Sequence, residues 1–391
     1  MTNTRRIATR CVHGGKKEEK GPATVPIAQT STFIFENQQQ VLDSVTGKSG
    51  EHLYTRWSNP TTRHTEEQIS AIEGTEESLL VSSGMAAISS TVLSLVSERS
   101  KILTIDSIYG GTLHLFEDIL PNMGVQVEFV PVEKFADKIE ESKGEYDICY
   151  FETPTNPTLK IVDIEQIANV VEKSDTVSVI DSTFATPYNQ QPHPLGIDIV
   201  IHSATKYLGG HSDLIAGVAS GESIHIEQIR ETAKLLGGTI DPFASFLLNR
   251  GIKTLDVRMS RHNENALFLA KELNQMDEIK RVFYPGLNNH VGHKIAEKQM
   301  NGFGGVLTIE INATHEETRD FVDGLEIFLN ATSLGGVKSL ASMPTLTSHY
   351  GIDEEVLHKM DISGSTVRLS VGIEDKEDLL ADIEQSMDEN F

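Results

Sequence analysis

Lys206 stands in Asp198-Ile-Val-Ile-His-Ser-Ala-Thr-Lys-Tyr-Leu-Gly-Gly-His211, where a short apolar stretch runs into a polar turn with Ser203 and Thr205 beside the amine. A second apolar stretch, Val177-Ser-Val-Ile-Asp-Ser-Thr-Phe184, leads to Asp181. The spacing predicts two successive buried strands, one ending on a carboxylate and the other feeding an amine. Pyridoxal 5′-phosphate (PLP) needs those two groups from a protein. The amine condenses with its aldehyde, and the carboxylate keeps the pyridine nitrogen protonated so that the ring withdraws electrons from a substrate. The hydroxyls of Ser203 and Thr205 suit the cofactor's phosphate.

Three further places could complete such a site. The turn Ser82-Ser-Gly-Met-Ala86 joins an apolar strand to a helix predicted to start near Ala86. The amides of Ser83, Gly84 and Met85 would then form an anion site at a helix N-terminus, and Gly84 lets a phosphate approach closely. Tyr109 precedes Gly110 and Gly111, which leave its ring free to stack on a planar group. Arg368, on a late strand, has the fork geometry for a substrate carboxylate.

Other chemistries lack their signatures. No Walker sequence, strand-borne G-x-G-x-x-G, G-x-S-x-G or H-E-x-x-H occurs. His290 and His293 lack a third ligand nearby and read as solvated loop residues, so no metal is expected. Cys149 falls in a predicted buried strand and reads as a small hydrophobe.

The elements that must carry these residues follow from periodicity. The stretches Ser78–Val81, Lys101–Ile105, Val125–Val130, Asp147–Phe151, Val177–Ile180 and Asp198–His202 alternate with helical stretches such as Thr65–Ile72 and Ile164–Lys173. That rhythm predicts a mostly parallel α/β sheet with its ligand site at the carboxyl ends of the strands. Residues 1–60 read as an extended arm that wraps a neighbouring domain or subunit, and 61–250 as the large domain. Residues 251–391 read as a smaller α+β domain, with a long helix over Ile252–Leu273, a half-exposed strand over Val306–Ile311, a helix near Thr318–Phe328 and a strand over Thr366–Ser370.

The chain has 391 residues, long enough for two domains. Its 33 basic and 57 acidic side chains give a formal net charge of −24, which argues against nucleic-acid or anionic-membrane partners. An anionic ligand must therefore be held by local cations and amides. Two cysteines are too few for a disulfide framework, and residues 1–10 have no apolar segment behind their charges. A reduced cytoplasmic setting is the expectation.

The ordered motifs Tyr54-Thr-Arg-Trp-Ser-Asn-Pro-Thr61, Ser82-Ser-Gly-Met-Ala-Ala87, Tyr109-Gly-Gly-Thr112, Glu152-Thr-Pro-Thr-Asn-Pro157, Asp181-Ser-Thr-Phe-Ala185, His202 to His211, Ser333-Leu-Gly-Gly336 and Val367-Arg-Leu-Ser-Val-Gly372 resemble the PLP-dependent Cys/Met metabolism (transsulfuration) enzymes nearly end to end. The resemblance implies a fold-type I, aspartate aminotransferase-like architecture in a catalytic homodimer, usually paired into a homotetramer. It implies that Tyr54 and Arg56 reach the phosphate of a neighbouring subunit. Gly84, Met85, Ser203 and Thr205 match the remaining phosphate ligands, Tyr109 the stacking residue and Asp181 the pyridinium partner. Asn156 matches a group beside the cofactor's phenolic oxygen. Ser333 and Arg368 match the substrate-carboxylate ligands.

Two positions bear on the substrate. Cystathionine-handling relatives typically carry Glu where Thr332 stands, and many carry Arg where Leu113-His114 stands. Losing both charges disfavours a zwitterionic distal end and suits methionine or another short thioether. Methionine γ-lyases usually carry Cys where Gly111 stands, so that signature is absent. The expectation is a methionine γ-lyase-like enzyme acting on an amino-acid substrate. Cystathionine γ-lyase or γ-synthase, then O-acetylhomoserine sulfhydrylase, are the alternatives, with a non-catalytic PLP-fold binding protein more remote. A nicotinamide dehydrogenase lacks its fingerprint.

Overall fold

The computed structural model describes residues 5–15, 21–142, 144–351 and 353–391. The beginning of the expected arm, residues 1–4, and its segment 16–20 lie outside the described residues.

Seven short strands, rich in Ile, Val and Leu, make the first sheet: β1 (Glu77–Val81), β2 (Lys101–Ile105), β3 (Gln126–Val130), β4 (Ile148–Glu152), β5 (Val177–Asp181), β6 (Ile199–His202) and β7 (Gly217–Gly221). Their order is β1-β7-β6-β5-β4-β2-β3. Only β7 runs against the rest, antiparallel to both β1 and β6. The carboxyl ends of β1, β2, β4, β5 and β6 therefore share one edge. The order reverses between β2 and β4, where an open α/β sheet leaves a crevice for a ligand. β4 and β6 are buried along their whole length, as strands covered on both faces must be.

The second sheet contains β8 (Ile279–Phe283), β9 (Val306–Ile311), β10 (Leu329–Asn330), β11 (Leu340–Ser342) and β12 (Thr366–Ser370), in the order β10-β11-β12-β9-β8. Arg368 lies opposite Ser342 of β11 and Thr308 of β9. Thr308 donates to the carbonyl of Pro157 at 2.7 Å, tying β9 to the loop after β4. One apolar cluster runs from the helix Pro60–Glu73 across β7 to β9, β12 and the last helix. A second fills the space around β2 to β6.

Several sequence expectations need correction. The helix expected over Ile252–Leu273 is two helices, Pro242–Ile252 and Leu255–Leu273. The break follows from the Gly251 carbonyl, which accepts from the Thr254 amide and hydroxyl and from Arg258 Nη2 at 2.9–3.1 Å. β9 is buried throughout, because Thr308 bonds the Pro157 carbonyl and Glu310 accepts from Lys280 at 2.8 Å. The arm is not wholly irregular: it carries helices Ile7–His13 and Gln38–Val45. The first docks through buried Cys11, whose carbonyl accepts from Gln68 at 2.6 Å. The helix expected near Thr318–Phe328 is His315–Gly324, started three residues earlier by a Thr314–Glu317 capping box. His290 and His293 are half-buried and bond backbone rather than solvent, His293 to Pro285 O at 2.8 Å. Among the described residues no metal-ligating cluster occurs, and no helix is long and apolar enough to cross a membrane.

Gly335 illustrates how the second sheet approaches the turn after β6. Its φ of +76° is left-handed, and a Cβ there would lie 2.6 Å from the Tyr207 amide nitrogen. Only glycine allows this approach.

Three histidines, His262, His349 and His290, make the fold acid-sensitive, His290 being lowered to about 4 by burial like the other two. His262 is fully buried, and His349 nearly so. Burial, aided by Arg258 for His262 and by Arg368 for His349, lowers each from 6.5 to about 4. Between those values the unfolded chain binds more protons than the folded one, so stability is complete above about pH 6.5 and falls as pH drops toward 4. Each histidine contributes a slope of up to about 1.4 kcal/mol per pH unit. Urea unfolding from pH 7 to 4.5 should show this loss, and His262→Asn should flatten the profile. A wild-type stability independent of pH across that range would contradict it.

Candidate active site

A cavity of about 610 Å³ opens at the carboxyl edge of the first sheet and is closed on its far side by β12 and the segments 332–334 and 346–348. It is lined by Ser83, Gly84, Met85, Tyr109, Asn156, Asp181, Ser203, Thr205, Lys206, Thr332, Ser333 and Arg368. Residues far apart in the chain thus meet in one chamber.

Asp181 ends β5. Its Oδ1 accepts from the Thr183 amide at 2.9 Å and from the Thr183 hydroxyl at 2.5 Å. Removal from water raises its pKa, while Thr183 and the neighbouring His202 oppose the rise. Lys206 lies in the turn after β6 and donates from Nζ to Ser333 Oγ at 2.7 Å. Burial, then the charge of Arg368, pulls its pKa below the ordinary lysine value. An amine so placed is readier to be neutral and nucleophilic.

Arg368 is buried with its guanidinium pinned: Nη1 donates to Asn156 Oδ1 at 2.9 Å and Nη2 to the Ser333 carbonyl at 3.0 Å. Desolvation lowers it to about 10, so it stays cationic at neutral pH. Ser333 sits at φ +91°, a region that disfavours a side chain. That strain is held where its carbonyl meets Arg368 and its hydroxyl meets Lys206.

At the opposite wall Ser83 caps the helix Gly84–Leu95 by accepting from the Ala86 amide at 3.1 Å. A Cβ on Gly84 would lie 2.9 Å from Ser203 Cβ, so the turn after β1 and the turn after β6 press together only because residue 84 is glycine. These backbone amides, Ser203 and the helix N-terminus could cradle a phosphate. Thr205 also lines the chamber, but its hydroxyl donates to Ala216 O and accepts from Ala216 N, at 3.1 and 3.0 Å. Tyr109 is 46 % exposed, leaving one ring face open to the chamber.

Three expected site residues stand apart from this wall. Tyr54 and Arg56 line a separate groove with Thr30, Thr239 and Asp241. The Arg56 guanidinium lies 5.7 Å from the Tyr54 ring and donates to Lys234 O at 2.6 Å. Gly111 lies behind Tyr109: a Cβ there would meet the Tyr109 ring at 2.6 Å and Met85 Sδ at 3.0 Å. Sequence reasoning passed over Glu152 except as part of a motif. It is buried, lines the chamber and accepts the Tyr109 amide at 2.8 Å. A carboxylate ending a wholly apolar strand was the available signal. Ser348, in contact with the chamber and bonded to His349 Nδ1 at 2.8 Å, was also missed.

The groups present fit PLP: an amine of lowered basicity, a carboxylate held by two donors, an open aromatic face and an amide cradle at a helix start. Known proteins agree. A cystathionine beta-lyase of Lactococcus lactis subsp. cremoris is 42 % identical over 98 % of this chain and 99 % of its own. An L-methionine gamma-lyase of Fusobacterium nucleatum is 37 % identical over 98 % of each. The crystal structure of metB from Corynebacterium glutamicum superposes with a TM-score of 0.92 at 34 % identity, covering 100 % of this chain and 99 % of that one. The family model for Cys/Met metabolism PLP-dependent enzymes matches residues 8–388. The chain belongs to that family, and is a fold-type I, PLP-dependent enzyme of its carbon–sulfur lyases and γ-synthases.

Proposed function

We propose that the enzyme cleaves the Cγ–S bond of methionine or a similarly short thioether amino acid, giving 2-oxobutyrate, ammonia and a thiol. One observation carries this reading. The ionisable side chains lining the chamber are Tyr109, Glu152, Asp181, Lys206 and Arg368; Glu152 holds the Tyr109 amide, and the other four serve the cofactor, the substrate's α-carboxylate or proton transfer. The remaining wall is uncharged: Ile88, Phe184, Ile215, Leu334 and Leu346 with the hydroxyls of Thr183, Thr332, Thr347 and Ser348. His114, where many relatives have arginine, is exposed and bonds Asp118 at 3.0 Å. A distal ammonium or carboxylate would find no opposite charge on this wall, a loss of about 1–3 kcal/mol.

PLP, when bound, supplies the electron sink that stabilises negative charge at the substrate's Cα. Ser83, Gly84, Met85 and Ser203 would hold its phosphate, Asp181 its ring nitrogen and Asn156 its phenolic oxygen. Arg368 and Ser333 would bind the α-carboxylate. The Lys206 amine, once free, would take the proton from Cα and then one from Cβ, whose electron pair expels the sulfur from Cγ, and would return a proton at Cγ. Tyr109 is the candidate proton donor to the departing sulfur.

A second reading, cleavage of cystathionine, has its own supporting observation. A cleft of about 280 Å³ shares Thr332, Leu346 and Thr347 with the chamber and carries Arg319 and Asp323. Opposite charges there could meet a zwitterionic end. Steady-state assays with L-methionine, L-cystathionine and O-acetyl-L-homoserine, with and without a thiol, separate the readings. The first predicts kcat/KM for methionine at least about tenfold above that for cystathionine, with 2-oxobutyrate as product. Turnover of cystathionine with methionine inert would overturn it, and pyruvate instead of 2-oxobutyrate would assign the second reading to the Cβ–S bond.

The working unit we propose is a homodimer, paired into a homotetramer, in the cytoplasm. Tyr54 and Arg56 lie outside their own chain's chamber, and the arm exposes apolar residues such as Ile34, 99 % accessible. Arg56→Ala should weaken PLP retention without unfolding the chain. Mixed with Lys206→Ala it should restore about one site in four through hybrid dimers, each with one intact site. No recovery on mixing would assign the arm to its own subunit.

A further inference from the structure

Glu152 and Asp181 end adjacent parallel strands in register, so two carboxyl groups meet at the floor of the chamber. Asp181 is held by two donors from Thr183. Glu152 has a different attachment: its Oε1 accepts the backbone N–H of Tyr109 at 2.8 Å. That bond spans the point between β2 and β4 where the strand order reverses. Tyr109 begins the helix Gly110–His114 without a side-chain cap, and Gly110 and Gly111 follow it at once. Two glycines give this turn little stiffness of its own. Gly111 also leaves the space into which the ring settles, since a Cβ there would strike it.

We propose that Glu152 is the positioning residue for the Tyr109 ring, holding its amide from the neighbouring strand end and so fixing the plane against which the cofactor stacks. Stacking requires the ring to keep one orientation, and a ring about half exposed has few packing contacts to hold it. Burial, then the Asp181 charge, pushes the Glu152 carboxyl well above the usual carboxylate range, which favours its neutral form. Asp181 is raised by burial too, but Thr183 and His202 oppose the rise, so of the pair it better holds the negative charge. The inference holds for any sulfur amino-acid substrate.

Glu152→Gln and Glu152→Met test it, because both side chains fill similar space and only glutamine accepts a hydrogen bond. Amide exchange of the Tyr109 segment is followed in the cofactor-free protein, and PLP affinity and visible circular dichroism in the holoenzyme. Met should speed Tyr109 amide exchange about tenfold, weaken PLP binding by a similar factor and reduce the cofactor's dichroism. Gln should stay within about threefold of wild type in exchange and affinity. Wild-type exchange and dichroism in the Met variant would overturn the proposal. So would a Gln variant as impaired as Met, since the carboxylate charge and not the accepted amide would then matter.

Discussion

An amine that must be neutral to react is held, in this protein, beside a buried cation. Lys206 Nζ and the Arg368 guanidinium share Ser333, one bonding its hydroxyl and the other its carbonyl. Burial and then Arg368 disfavour the charged form of Lys206, while Ser333 aims it. The rest of the chamber is arranged around that juxtaposition. Arg368 can remain charged out of water because Asn156 and Ser333 accept from it, and Asn156 comes from the loop that Thr308 ties to β9. The two sheets are thereby joined at the site itself, not only through the core behind it.

The edge opposite works by close approach. The turn after β1 presses against Ser203, and β7, the reversed strand, lies directly behind it. A Cβ on Gly217 would fall 2.0 Å from the Ser83 carbonyl oxygen. Small residues at 84 and 217 are thus what bring a helix start, two strand turns and Lys206 within reach of one phosphate-bearing ring. A bulkier side chain at either place would separate the amides from the amine by displacing backbone, an overpacking penalty of about 1–3 kcal/mol.

Much of this was legible in the sequence because strand ends and functional residues coincide. Lys206, Asp181, Tyr109 and Gly84 each follow an apolar run, and the run predicts both the strand and the edge. β7 was not legible: Gly217-Val-Ala-Ser-Gly221 lacks the β-branched density of a strand, and its glycines answer to the Ser83 and Asp198 backbones. The split at Lys253-Thr254 was hidden because it depends on Arg258 reaching the Gly251 carbonyl, a tertiary contact. β9 looked half-exposed because its alternating Thr308 and Glu310 are polar, yet both find partners inside. Glu152 went unnoticed for a related reason. A lone glutamate reads as a surface residue until Asp181 and the Tyr109 amide are seen beside it.

The central claim is that the Lys206 amine is the group that binds the cofactor's aldehyde carbon. Borohydride reduction of the yellow holoenzyme, followed by peptide mass analysis, tests it directly. The colour should bleach, and the pyridoxyl phosphate mass should be found on Lys206 alone. Label on another lysine, or a cofactor released unattached after reduction, would contradict the account.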